Sequence, residues 1–199
     1  MAAEDIESDA ELDKTLPPAS ALRFDDPSEL YAGMPKILKM TQHRPRPGER
    51  SEDYIRRLMD SRTPEEALTY IAFAALPKMA IWWAYECLRQ SGDELTATER
   101  GMMDLVAAWT NNPDDDSRFR TMRNALYAPQ VTPSVYLGLA VGWSGGPIAP
   151  NDPAPVPPHR APRAVNSAVL SCLAKADLAQ RGARLQRFVE QAASLFRTG

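Results

Sequence analysis

Histidine and cysteine are scarce in this chain of 199 residues: His43, His159, Cys87 and Cys172 are all there is of either. Neither histidine has a second His or a Cys at ligand spacing, so no metal site is expected. Two cysteines far apart do not make a disulfide framework. Each sits in an apolar helical pattern that suits a small buried thiol. Long apolar runs are missing as well. No residue from Asn124 to Asn151 is charged, but Pro129, Gln130, Thr132, Pro133 and Ser134 interrupt that run. Its wholly apolar part, Val135 to Trp143, is far short of the ~20 residues that a membrane span needs. The N-terminal Met1-Ala-Ala-Glu-Asp-Ile-Glu has no basic region and no apolar region of the secretory kind. The expectation is a cytoplasmic protein without a membrane segment. No stretch alternates polar and apolar residues over enough positions to read as a strand.

Acidic and basic side chains are present in near balance but unevenly placed. Residues 1–29 hold nine acidic and two basic side chains, a net −7, so the remainder carries +4. The basic excess lies after the proline-rich stretch, in Arg160, Arg163, Lys175, Arg181, Arg184, Arg187 and Arg197 against Asp177 and Glu190. It is too interrupted for a nucleic-acid footprint, which needs a dense basic patch. The 44% apolar and 25% charged fractions are those of a globular domain.

Helix signals fill the chain from residue 51 onward. Residues 1–24 are acidic, carry Pro17 and Pro18, and lack apolar periodicity, which reads as a disordered tail. Gln42 to Glu49 reads as a linker. A mostly disordered arm over 1–50 and an all-α domain over 51–199 follow. Ser51 suits an N-cap for a short helix carrying Tyr54, Ile55 and Leu58. Thr63-Pro64-Glu65-Glu66 reads as a capping box with proline at the first helical position. Thr96-Ala-Thr-Glu99 is a second capping box, and Asn112-Pro113 before three aspartates is another N-terminal signature. That helix carries Phe119, Met122, Leu126 and Tyr127. Thr132-Pro133 opens an apolar helix through Val135 and Val141, stopped by Gly145-Gly146. Pro147 to Pro162 should be an extended polyproline strap. Two helices follow, Arg163–Lys175 and Leu178–Phe196, the second with a stripe of Leu185, Phe188, Val189, Ala192, Leu195 and Phe196 and a possible kink at Gly182. The fold class is all-α: a single compact bundle of about six helices, clasped by the strap.

Two stretches could carry function. Gly142-Trp143-Ser144-Gly145-Gly146 spells G-x-S-x-G, and Asp152 and His159 follow in the order of a hydrolase triad. A nucleophile elbow needs a strand before it and a helix after it, however, and Gly-Gly-Pro cannot start a helix. The segment reads as structural, with Trp143 plugging the space beneath the strap and Ser144, Gly145 and Gly146 turning the chain. A small serine hydrolase using Ser144 stays as the alternative. The other stretch is the helix through Trp82-Trp83. Lys78, Glu86 and Arg89 define its polar side, and Trp82 and Tyr85 fall among them. A tryptophan there is either covered by another part of the chain or an anchor for a partner protein.

Trp82-Trp83-Ala84 after Leu76-Pro77, Ala107-Ala108-Trp109 before Asn112-Pro113, Leu137-Gly138-Leu139-Ala140-Val141 with Trp143-Ser144-Gly145-Gly146, and the proline strap before Arg163-Ala164-Val165 together resemble an uncharacterised proteobacterial domain family. The resemblance covers about residues 63–196. It implies an association of some members with contractile (type VI) secretion genes and supplies no catalytic residue. With no cofactor motif and no acid–base constellation, the expected function is a non-enzymatic protein-binding or adaptor module, such as a secretion accessory or effector chaperone. The expected partner is another protein, through Trp82, Tyr85, Lys78, Glu86 and Arg89. A structural subunit of a homodimer is the remaining alternative.

Overall fold

The computed structural model describes residues 21–24, 26–152 and 154–196, apart from the side chains of Ser194 and Phe196. The acidic tail over residues 1–20 lies outside the described residues. Among those described there are nine α-helices, more than the six expected, and two 3₁₀ turns. In chain order the helices are α1 (Pro27–Gly33), α2 (Ser51–Met59), α3 (Glu66–Ala74), α4 (Pro77–Gln90), α5 (Ala97–Asn111), α6 (Asp115–Leu126), α7 (Pro133–Gly142), α8 (Arg160–Ala174) and α9 (Leu178–Ala192). The 3₁₀ turns are Pro35–Lys39 and Ala193–Phe196. No strand forms among the described residues, only the isolated bridges Leu22–Ala75 and Pro147–Pro155.

Three helix starts follow their local chemistry. Thr96 and Glu99 make the full reciprocal capping box of α5. Thr132 caps α7, with proline at its first position. At α6 the cap is Asp114, which accepts from the Ser117 N–H, so the cap lies two residues beyond Asn112. Thr63-Pro64 behaves differently. The Glu66 carboxylate is not folded back onto Thr63 N–H; it accepts from the backbone N–H groups of Gln42 and His43, each at 3.0 Å, and from the Thr63 hydroxyl at 2.8 Å.

That carboxylate ties the segment before residue 51 into the fold. Leu30, Tyr31, Met34 and Ile37 are buried in the main core. Tyr31 and Tyr54 share a hydroxyl–hydroxyl hydrogen bond of 2.8 Å, and their rings and that of Tyr70 meet edge to face. The chain from Ala21 onward is therefore part of the domain, not of an arm. The cause is apolar content, since Leu30, Tyr31, Met34 and Ile37 recur at intervals of one or three residues and can fill one face.

Helix α7 is central. It packs against α4, α5, α6 and α8. Two glycines one turn apart, Gly138 and Gly142, permit the close approach. A Cβ at Gly138 would stand 3.0 Å from Ala125 Cβ, and one at Gly142 would collide with Cβ and Cγ of Met122. After α7 the chain is not an extended strap. Val156 N–H donates to the Gly146 carbonyl at 3.2 Å, and Pro147 and Pro155 pair, closing residues 146–156 into a loop. Helix α8 then starts at Arg160, three residues before the expected position, so Pro162 lies buried inside its first turn. Proline is tolerated there because the first N–H groups of a helix have no intrahelical acceptor. Helices α8 and α9 are separated by Lys175–Asp177, and Gly182 lies within α9. Of the α9 stripe, Leu185, Phe188, Ala192 and Leu195 are buried. The side chain of Phe196 lies outside the described set.

Candidate functional site

The G-x-S-x-G turn is built around Arg118, which reaches it from α6 with only 4% of its surface exposed. Arg118 Nη1 donates to the Gly142 carbonyl at 3.0 Å and to the Pro147 carbonyl at 3.1 Å, and Nε donates to Asp115. One guanidinium thus satisfies the last carbonyls of α7 and the first of the proline loop. The Ser144 hydroxyl donates to the Val141 carbonyl at 2.7 Å. Gly146 takes a φ of +66°, where a Cβ would also stand 3.0 Å from Arg118 Nη2. Trp143 is half-buried against the core, with the Arg160 guanidinium 5.7 Å over its ring. Trp143, Ser144, Gly145 and Gly146 therefore terminate a helix and redirect the chain.

The remaining residues of the hydrolase motif are engaged elsewhere. Asp152 accepts the Ala154 N–H in a local turn. His159 precedes α8, where burial and the charges of Lys36, Arg160 and Arg163 hold its pKa below the usual imidazole value. Among the described residues no group of three His, Cys, Asp or Glu side chains could hold a metal ion. The two thiols are buried, and desolvation raises both pKa values, so neither has the character of a nucleophile.

On α4, Trp82 and Tyr85 are half-buried and pack against the core cluster, while Lys78 and Arg89 are exposed. Glu86 and Arg89 pair with each other at 2.6 Å. Trp83 is fully buried and donates its indole N–H to the Phe188 carbonyl at 2.9 Å. That bond joins α4 to α9.

Exposed apolar surface lies instead at the end of α6 and in the loop to α7. Leu126 is 59%, Tyr127 83% and Val131 67% exposed; Leu126 and Tyr127 are two of the apolar residues that the sequence places on the helix after Asn112-Pro113. Of these, Tyr127 lines a hollow of about 680 Å³ between α5 and α6, together with Met102, Leu105, Arg123, Ala128 and Pro129. Arg123 has no ion-pair partner among the described residues. Sequence periodicity missed this surface because α6 ends at Leu126 and the chain turns before its apolar residues reach a neighbour. Pro129 in a six-residue apolar-rich loop was the available signal.

No helix among the described residues is long and apolar enough to cross a membrane. No curated protein and no solved structure gives a significant match to the chain. A family model does match, over residues 54–196, which is most of the domain just described. By that match the chain belongs to the family of unknown function DUF6931.

Proposed function

We propose that this protein is a non-enzymatic, cytoplasmic protein-binding module that receives a partner in the hollow between α5 and α6. The observation that carries this reading is Tyr127, which lines that hollow and is 83% exposed, with Leu126 and Val131 also exposed close to it in the chain. Single exposed apolar residues are ordinary on a protein surface, but exposed apolar residues close together in the chain, one of them lining a concavity, favour an interaction site. Tyrosine is a frequent anchor in such sites, and Met102 on the wall can adapt to different side chains. The partner chemistry that fits is an amphipathic helix, its apolar face toward Met102 and Leu105 and an acidic residue toward Arg123. The α4 face offers less, because Trp82 and Tyr85 already pack on the core. Under the resemblance to secretion-associated proteins, the partner would be a component or cargo of a contractile secretion system.

A photo-crosslinking residue in place of Tyr127, expressed in the native host, tests the reading. A discrete adduct that disappears in the Leu126→Asp variant, and is not formed from the same probe at the exposed Arg187, is the expected result. An adduct with a second copy of the chain would identify a homodimer instead. Absence of any adduct specific to position 127 overturns the proposal.

A further inference from the structure

A second surface differs in character from the groove: it is cationic and its charges are unpaired. Burial first, and then the nearby charges of Lys36, Arg160 and Arg163, disfavour protonation of His159. All three are exposed, and none forms an ion pair among the described residues. By contrast, Arg50, Arg56, Arg57, Arg89, Arg118 and Arg184 all have carboxylate partners. Arg160 lies over the ring of Trp143, which keeps its guanidinium at this face.

The described chain begins on the same side of the domain. The Ala21 carbonyl accepts from Leu76 N–H at 2.7 Å, and Arg23 N–H donates to the Ala74 carbonyl at 2.8 Å, so Ala21 sits at the α3–α4 junction. Helix α8 contacts both α3 and α4. Its Leu170 shares a hollow with Lys39 and with Thr63, Glu66 and Thr69 at the start of α3, and its Cys172 approaches Asp93 just past the end of α4. The C-terminal part of α8 therefore lies by the far ends of α3 and α4, and its first turn points back toward their junction. Residues 1–20 carry six carboxylates and one lysine, a net −5, immediately before Ala21.

We propose that the acid-rich segment 1–20 of this same chain docks on the cationic cluster of Lys36, Arg160 and Arg163 around His159. Its charge is complementary, and it is tethered beside the site. At about 3.3 Å per extended residue, its reach is ample. Individual exposed ion pairs are weak, but a short tether presents the carboxylates at high effective concentration, and several pairs act together.

The test uses the full chain with a nitroxide attached at Ser8→Cys. Cys87 and Cys172 are buried, and the parent protein treated with the same reagent controls for their labelling. Backbone amide signals of Lys36, Arg160 and Arg163 and the indole signal of Trp143 are followed by NMR. The expected result is strong broadening of these signals at low salt. It should be lost in about 1 M NaCl, where the screening length is ~3 Å, and lost at low salt when Lys36, Arg160 and Arg163 are all changed to Glu. Broadening that is absent at low salt, indifferent to salt, or centred on Tyr127 overturns the proposal. The salt series on the unaltered cluster decides the matter even if the charge-reversed variant does not fold. It is read separately from the partner adduct at Tyr127.

Discussion

Arg184 and Asp93, ninety-one positions apart, face each other in a two-pronged ion pair: Nη1 to Oδ2 at 3.0 Å and Nη2 to Oδ1 at 3.1 Å. The same guanidinium donates to the carbonyls of Cys172 and Ser91. It fastens α9 to the end of α8 and to the turn after α4. The pair is asymmetric, since Arg184 is almost wholly buried and Asp93 is partly reached by water. Removing Asp93 strands a buried charge, whereas removing Arg184 leaves a carboxylate that water can solvate. Asp93→Ala should cost about 3 kcal/mol in urea unfolding, and Arg184→Met distinctly less. Equal losses would show that packing, not charge burial, governs the site.

Gly142 on α7 has no room for a side chain because Met122 of α6 lies against it. Gly142→Ala should therefore destabilise the protein by about 1–3 kcal/mol, the usual range for overpacking. The second change Met122→Ala should recover part of that loss in a double-mutant cycle. A Gly142→Ala variant as stable as the parent would mean that the helices separate at no cost.

Acid sensitivity follows from Glu66. Burial alone would raise its pKa, but the N–H groups of Gln42 and His43 and the Thr63 hydroxyl outweigh it and hold the carboxyl below its ordinary value. A group depressed in the folded state contributes stability above its unfolded value, about 4.3, and that contribution disappears as pH falls through the folded value. Glu99 is depressed too: burial opposes it, while Thr96 and Lys175 outweigh burial. The urea midpoint should thus drop below about pH 4.3, and drop less steeply in Glu66→Gln. Parallel curves for the two proteins would remove Glu66 from the account. The same substitution should speed amide exchange at Gln42 and His43, whose acceptor it weakens.

Ser144 should not react as a hydrolytic nucleophile. Its hydroxyl proton is committed to the Val141 carbonyl, with no imidazole in the role of base. A fluorophosphonate probe should leave the native protein unlabelled. Labelling that disappears in Ser144→Ala would establish the catalytic alternative.

Local chemistry was enough to read much of this protein from its sequence. The all-helical class, the capping box at Thr96–Glu99, the Thr132-Pro133 start of α7 and its stop at Gly145-Gly146 all depend on residues within a few positions of one another. The two glycines of α7 and the buried cysteines were visible there too, although what they touch was not. Tertiary structure decided everything that joins distant positions. Glu66 satisfies its own helix signature in the sequence, yet two amides some twenty residues earlier compete for its carboxylate and tie the segment that buries Leu30, Tyr31, Met34 and Ile37 to the start of α3. Arg118 and Arg184 look like solvated helix charges until the carbonyls at the ends of α7 and α8 are placed beside them. Whether Trp82 is covered and whether Tyr127 is exposed were likewise decided by the neighbouring elements. Periodicity assigns a residue to a face of its helix, but whether that face meets protein or water depends on where the neighbouring helix ends. α6 ends at Leu126, and so Tyr127 stands in solvent.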